Sequence, residues 1–590
     1  MHVKTNTAAD FLQKLTTVFP STAALSGPAM ATQSRPRSTS SGSTASSISS
    51  SSTQSSSADE DSADDSRTLT DTDEEAMDET ETMFSALSLD SQMRLFPVGN
   101  NDAHLGAGSG RLEEMKNTPL FSAKVKLAAE GNDAAENVAG TEQQVGSQRD
   151  NIFPEYGLLA VDVESVQGFL DAKQEESYEA AVDPRIFVNV NTPWSAFICG
   201  SQGSGKSHTL SCLLENCLIE SKRLGQLPKP LTGLVFHYDK FNSFSAGQVC
   251  EAAYLCSSGI PVKVLVSPSN FWNMQEAYKN MPNLPKGAPK PTVSPLYFEE
   301  SQLTIGRMMR LMAVKESDGP MPLYIEVIFM ILRQMAGEAR GVGGVNYQRF
   351  KAKLAEEGLT AAQRGPLNLR LDLLESFMIP KEMPGTRKSK SPKTFGLEPG
   401  TLTIIDLSCP FVDEGSACVL FDICLGIFLE RRTGGGRVIA LDEAHKFMGD
   451  TVGAKDFTEN LLSVIRLQRH LATRVIISTQ EPTISPKLLD LCSMTFVHRF
   501  TSPDWLKVLK SHLAGASNNG NKVDDDESKG AIQEIFDVIV HLSVGEALMF
   551  SPSAMLTVRD GKIEKLGLSY RKVMIRKRLT ADGGKSVQAE

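Results

Sequence analysis

From about residue 151 onward, short apolar runs alternate with amphipathic stretches; before that point no period holds. The apolar runs at 158–163, 186–190, 195–199, 233–238, 262–266, 402–407, 438–441, 474–478 and 547–550 have the length and bounds of strands. Between them, 206–222, 415–432, 457–470 and 502–513 repeat apolar residues at helical spacing. Strands that alternate with helices argue for an α/β fold, a mainly parallel sheet flanked by helices on both faces. Residues 299–379 break the alternation. Their period is helical throughout, with apolar sets such as Leu303, Met308, Leu311 and Ile325, Ile328, Leu332. The expectation is a helical insertion over 299–396 that closes on a basic linker at 381–393, all within one domain at 151–580.

Composition changes the picture mainly at the ends. Residues 38–57 are almost entirely serine and threonine, and an acidic run follows at 59–81. Such a segment buries too little apolar surface to offset its ordering entropy, which predicts a disordered tail over 1–150 and a second at 581–590. Ser66 and its acidic neighbours suit acid-directed kinases or a plain solvated linker, and Phe84, Leu87, Leu89 and Phe96 form a short apolar patch fit for docking. The net charge of −11 lies wholly in the run from Asp59 to Glu81, which holds twelve acidic residues and one basic, leaving 59 of each sign elsewhere. A neutral folded part excludes the strongly basic balance of a dedicated nucleic-acid binder. The basic groups Arg387, Lys388, Lys390, Lys393 and 571–578 suit phosphate contacts or a solvated surface. No apolar run is long enough to span a membrane, and no signal-peptide pattern opens the chain. Nine scattered cysteines without a Cys-x-x-Cys pair fit reduced, buried thiols, hence a soluble intracellular protein whose compartment, cytoplasm or nucleus, stays open.

Chemistry enters at Gly200-Ser201-Gln202-Gly203-Ser204-Gly205-Lys206-Ser207, directly between a predicted strand and a predicted helix. This is a phosphate-binding loop pattern in its confirming context. The glycines let successive backbone N–H groups turn inward, and the helix adds the positive end of its dipole. Lys206 would reach the β and γ phosphates of ATP, and the Ser207 hydroxyl would hold Mg²⁺. Downstream, Arg437-Val-Ile-Ala-Leu-Asp442-Glu443 is an apolar strand ending in two acids. Asp442 suits the Mg²⁺ water shell, and Glu443 suits polarisation of an attacking water. A third strand ends in Ser478-Thr479-Gln480, which puts the Gln480 amide where a γ-phosphate can be sensed. His445 is either a packing histidine or a coupling residue, and Tyr238-Asp239 either lines the pocket or merely ends a strand. No Asn-Lys-x-Asp guanine-reading motif occurs.

These motifs, with Leu402-Thr-Ile-Ile-Asp-Leu407 and Gly545-Glu-Ala-Leu-Met-Phe550, resemble the HerA/FtsK-like P-loop translocase ATPases over roughly 186–570. The resemblance implies a RecA-like core with the catalytic glutamate beside the Walker B aspartate. It also implies a homo-oligomer, by resemblance a hexameric ring, acting on DNA or protein, with each site completed by a neighbour's arginine. The family pattern favours the Arg466/Arg469 position, with Arg469 taken as the candidate; Arg499 follows the next predicted strand. The N-terminal β-barrel of HerA proteins is not expected, because 151–190 is too short to hold one. The long tail and the insertion also suit an alternative, an ATP-dependent switch or scaffold with slow turnover.

Overall fold

The structure is a computed structural model, and residues 107–136, 151–166, 183–240, 249–312, 323–338, 345–379, 395, 398–430, 435–512 and 534–584 are described. The serine-rich and acidic segments, the Phe84–Phe96 patch, the basic linker at 381–393 and residues 585–590 lie outside them.

In chain order the elements begin with α1 (Ala107–Lys116), β1 (Leu120–Ser122), α2 (Ala123–Glu136), β2 (Tyr156–Asp162), β3 (Arg185–Asn189), β4 (Ser195–Cys199) and α3 (Lys206–Leu218). There follow β5 (Gly225–Gln226), β6 (Thr232–His237), β7 (Val262–Val266), α4 (Phe271–Lys279) and β8 (Thr292–Pro295). Four helices come next, α5 (Ile305–Met312), α6 (Leu323–Glu338), α7 (Tyr347–Glu356) and α8 (Ala361–Ser376). The pattern resumes with β9 (Leu402–Asp406), α9 (Glu414–Glu430), β10 (Arg437–Leu441), α10 (Val452–Arg466), α11 (Gln468–Leu471) and β11 (Thr473–Thr479). It ends with α12 (Pro486–Leu491), β12 (Met494–Val497), α13 (Pro503–His512), β13 (Glu546–Phe550), β14 (Met555–Arg559), β15 (Lys562–Lys565) and β16 (Tyr570–Ile575).

One continuous sheet runs β15-β14-β1-β3-β2-β16-β13-β12-β4-β11-β10-β6-β9-β7-β8, with β5 beside β2. From β12 to β8 every neighbour pairs in parallel. Burial on both faces makes the central strands continuous apolar runs, and every residue of β4, β10 and β11 is buried. Their alternate side chains feed two cores. Phe197, Phe236, Ile405, Ile439 and Ile477 face α9, α10 and the helices α5–α8. Ala196, Ile198, Val235, Ile404, Ala440 and Ile476 face α3 and α4.

The insertion helices therefore join a core of the sheet. Leu303, Met308, Ile325, Ile328 and Leu332 are buried there, with Leu311 packed at the edge. Arg307 pairs with Glu430 at 2.6 Å and Arg310 pairs with the buried Asp422, both on α9.

The other half of the sheet adds an antiparallel part to the mainly parallel expectation. From β12 through β13, β16, β2 and β3 to β1 the pairings are antiparallel. It also departs from the expected boundary at 150, because 107–136 form α1, β1 and α2. Phe121 of β1 is buried, stacks on Phe153 with ring centroids 3.8 Å apart, and pairs in register with Phe187 and Met555. A three-residue strand makes no periodic signal, and its partners lie far away in sequence. Residues 581–584 likewise belong to the body: Ala581 N donates to Ser257 Oγ and Gly583 N to Glu251 Oε1.

Candidate nucleotide site

The loop after β4 turns on glycines in the left-handed region, Gly200 at φ 152°, Gly203 at φ 73° and Gly205 at φ 113°. At Gly200 space forbids more as well, since a Cβ would lie 2.7 Å from His498 Cβ and 2.8 Å from Ser204 Oγ. Two bonds tie the loop to the end of β12: Ser201 N and Oγ both donate to the Arg499 carbonyl, at 2.9 and 2.8 Å. Inside the loop the Ser201 carbonyl accepts from Ser204 Oγ at 2.7 Å and from Lys206 Nζ at 3.0 Å. Burial lowers the pKa of the Lys206 ammonium, while the carboxylates of Glu443 and Asp442 pull the other way. Gly205 opens α3, whose N-terminal dipole faces the loop.

Behind the loop stands His498, fully buried. Its Nδ1 meets the Glu546 carbonyl at 2.8 Å and its Nε2 meets Thr209 Oγ1 at 2.9 Å. A carbonyl only accepts, so Nδ1 carries the proton and Nε2 accepts from the Thr209 hydroxyl. Burial holds this imidazole neutral and pushes its pKa down to about 4. Nothing in the sequence around His498 signals this brace between β12, β13 and α3.

The strand order sets the acids. β11 lies between the loop strand β4 and β10, with Thr479 opposite Cys199 and Ile477 opposite Leu441. Glu443 and Gln480 thus leave neighbouring strand ends, and Gln480 Nε2 donates to Glu443 Oε2 at 3.0 Å. His445 closes the group: its Nδ1 accepts from Gln480 N at 3.3 Å and its Nε2 lies 3.5 Å from Glu443 Oε2. Glu443 adopts φ 52°, ψ 45°, a conformation that costs a non-glycine residue about 1–2 kcal/mol and here aims its carboxylate.

Asp442 is buried. Its Oδ2 lies 3.5 Å from His237 Nδ1 and accepts from Cys250 Sγ at 3.7 Å, and its Oδ1 has no hydrogen-bond partner. Burial pushes this carboxyl up, but His237, with Lys446 and Cys250, outweighs it and keeps the group below its ordinary value. For His237 burial again opposes the charge, and Asp406 and Asp442 prevail, raising it to about 8.

A cavity of about 500 Å³ opens between these groups. Gln202, Gly203, Gly205 to His208, Asp442, Glu443 and Gln480 line one side, and Val544, Gly545, Met574 and Ile575 line another. The segment after β16 forms a third wall through Lys577, Arg578, Asp582 and Gly584. Glu215 of α3 anchors that segment from a fully buried position, accepting from Arg576 Nη1 at 2.6 Å, Thr580 Oγ1 at 2.6 Å and Thr580 N at 2.9 Å. Burial would raise the Glu215 carboxyl, yet the Arg576 guanidinium holds it below the carboxylate value. Arg578 pairs with Glu251. Part of the basic run at 571–578 is therefore internal, against the reading of a solvated or phosphate-contacting tail.

Of the remaining candidates, Tyr238 is buried and donates to the Val412 carbonyl at 2.9 Å, while Asp239 lies 3.4 Å from Lys446; neither lines the cavity. Arg466, Arg469 and Arg499 are exposed and also stand outside it. Ser207 is half-buried on the cavity wall. The donor set fits a magnesium nucleotide. A buried carboxylate held below its ordinary pKa, with one oxygen unpartnered, shares the cavity wall with the Ser207 hydroxyl and with Gly203 and Gly205 of the loop.

No protein-family model matches the chain, and no curated protein matches it. Among solved structures it is similar to VirB4 of Thermoanaerobacter pseudethanolicus, at 12% identity over 74% of this chain and 99% of that one, TM-score 0.43. It is also similar to the bacterial conjugative coupling protein TrwBΔN70, at 11% identity over 66% of this chain and 86% of that one, TM-score 0.33. A third likeness is to the genome packaging NTPase B204 from Sulfolobus turreted icosahedral virus 2 in complex with ATP-gammaS, at 13% identity over 29% and 66%, TM-score 0.18. Among the described residues no helix is long and apolar enough to cross a membrane.

Proposed function

We propose that this chain binds magnesium ATP in the cavity above β4 and hydrolyses it, working as a ring-forming motor on DNA or protein. The observation that carries the reading is the hydrogen bond from Gln480 to Glu443 at neighbouring strand ends on one side of the loop that holds Lys206.

Each residue has a task there. The loop N–H groups and the α3 dipole receive the phosphates, and Lys206 exchanges the Ser201 carbonyl for β- and γ-phosphate oxygens. Ser207 and Asp442 would hold Mg²⁺, which would supply positive charge against the phosphates. Glu443 takes a proton from the attacking water as the water oxygen bonds to the γ-phosphorus. The bond from that phosphorus to the β-phosphate oxygen breaks, and ADP and phosphate leave. Gln480 donates to Glu443 through one amide hydrogen and has a second for a γ-phosphate oxygen, so one side chain can touch both the nucleotide and the base. Arg469, exposed and outside its own cavity, suits a neighbouring subunit's site, as the resemblance implies.

The test is phosphate release from ATP by the purified chain, with magnesium or with a chelator, and with or without duplex DNA. Turnover that needs magnesium is the expected result, and stimulation by DNA would identify the polymer. ATP binding without turnover in every condition would make the chain a nucleotide-dependent switch instead.

A further inference from the structure

At the floor of the cavity three side chains meet that the ATP chemistry does not jointly use: His237 at the end of β6, Asp442 after β10, and Cys250. All three are buried, and their ligand-type atoms lie within 4.8 Å of one another. Asp442 Oδ2 is 3.5 Å from His237 Nδ1 and 3.7 Å from Cys250 Sγ. We propose that His237, Cys250 and Asp442 form a site for a thiophilic divalent cation of the zinc class, and that filling it withdraws Asp442 from the nucleotide's magnesium and stops turnover.

Distances and orphaned atoms argue together. A tetrahedral cation with bonds of about 2.0–2.3 Å to nitrogen, oxygen and sulfur holds its ligand atoms about 3.3–3.8 Å apart, the separation of the two measured pairs. His237 is 2% exposed, and neither ring nitrogen has a hydrogen-bond partner; nor has Asp442 Oδ1. An imidazolium–carboxylate pair alone would use Nδ1 and Oδ2, leave Nε2 and Asp442 Oδ1 unpaired, and hold the thiol only through its 3.7 Å contact with the same carboxylate. Buried polar groups in folded proteins rarely go without a partner. A thiolate, an imidazole and a carboxylate suit zinc and do not suit magnesium, which takes oxygen ligands. The two cations are thus chemically separate although Asp442 serves both.

The surroundings hold the ligands in place, as outer-shell groups do at metal sites. Cys250 N donates to Tyr278 Oη at 3.1 Å, and that hydroxyl donates to Asp406 Oδ2 at 2.5 Å. Asp406 stands opposite His237 in the β6–β9 ladder. His237 and Asp442 line the cavity, and so do Val249 and Glu251 on either side of Cys250, which gives a cation its path. Three protein ligands leave a fourth position for water or a phosphate oxygen. Binding releases the thiol proton, and the imidazole proton where it is present, to solvent.

Binding stands apart from the hydrolysis reading, whereas inhibition rests on it, so the experiment has two arms. In the first, cobalt(II) is titrated into the reduced, nucleotide-free full chain. A thiolate-to-cobalt charge-transfer band should appear, be bleached by zinc, vanish in Cys250→Ser and His237→Gln, and persist in Cys217→Ser. No band in the wild type, or a band that survives Cys250→Ser, overturns the site. If Cys250→Ser does not fold, as judged by its melting curve, His237→Gln carries the same test. In the second arm zinc should stop magnesium-ATP turnover, a chelator should restore it, and Cys250→Ser should need at least about ten-fold more zinc relative to its own uninhibited rate. Equal sensitivity in that variant overturns the inhibitory role. A wild type that never hydrolyses ATP counts against the proposed function alone, and the cobalt arm still decides the site.

Discussion

His498 is a base kept neutral so that it can brace a loop, and that has a measurable pH signature. Its pKa is about 4 in the folded chain against an ordinary 6.5, so the unfolded chain binds the proton more readily. The stability this contributes is fully present above pH 6.5 and is lost as pH falls through about 4, roughly 3 kcal/mol in all. Melting temperatures of wild type and His498→Gln from pH 7 to 4 should show a flatter slope for the variant, and equal slopes would contradict the role. Gly200→Ala tests the loop itself. Its added Cβ meets His498 Cβ at 2.7 Å in a conformation that favours glycine, so nucleotide affinity should fall at least about ten-fold in a binding titration. At this scale the sequence motif already marks Gly200 to Ser207, Asp442, Glu443 and Gln480 as neighbours. It is silent on His498, His237 and Cys250, because a single residue at a strand end has no period and its partners lie in other strands.

Among the elements, the segment after β16 has the clearest energetic consequence. Glu215 is fully buried and Arg576 is 9% exposed, and each is the other's charge partner. Removing one leaves the other buried and uncompensated, which typically costs about 3–5 kcal/mol. Glu215→Ala should therefore lower the denaturation midpoint sharply, and Glu215→Ala/Arg576→Ala should cost less than the two single losses summed. Additive losses would mean that the pair is not coupled. The central strands were legible because burial on both faces makes them unbroken apolar runs. The strands β14 to β16 were not, because their residues are mostly half-buried or exposed and their pairing depends on β1, β2 and β13.

For the whole molecule, the question is whether one chain completes the site. Arg469 is exposed on α11 and does not line its own cavity, so an effect of Arg469 on turnover would come from another subunit. Arg469→Ala should lower kcat at least about 100-fold with ATP affinity retained, and specific activity of the wild type should rise with protein concentration. Unchanged kcat would remove Arg469 from the reaction. The start of the body is illegible in the sequence for a related reason: α1, β1 and α2 gain their place from Phe153, Phe187 and Met555, contacts that no local window contains.

In the proposed reaction Lys206 serves binding and Glu443 serves the bond-breaking step. The most direct measurement pairs ATP affinity with single-turnover hydrolysis in wild type, Lys206→Ala and Glu443→Gln. Lys206→Ala should lose binding, whereas Glu443→Gln should bind ATP as tightly as wild type and release phosphate at least about 100-fold more slowly. A Glu443→Gln chain that hydrolyses ATP at the wild-type rate would contradict the account.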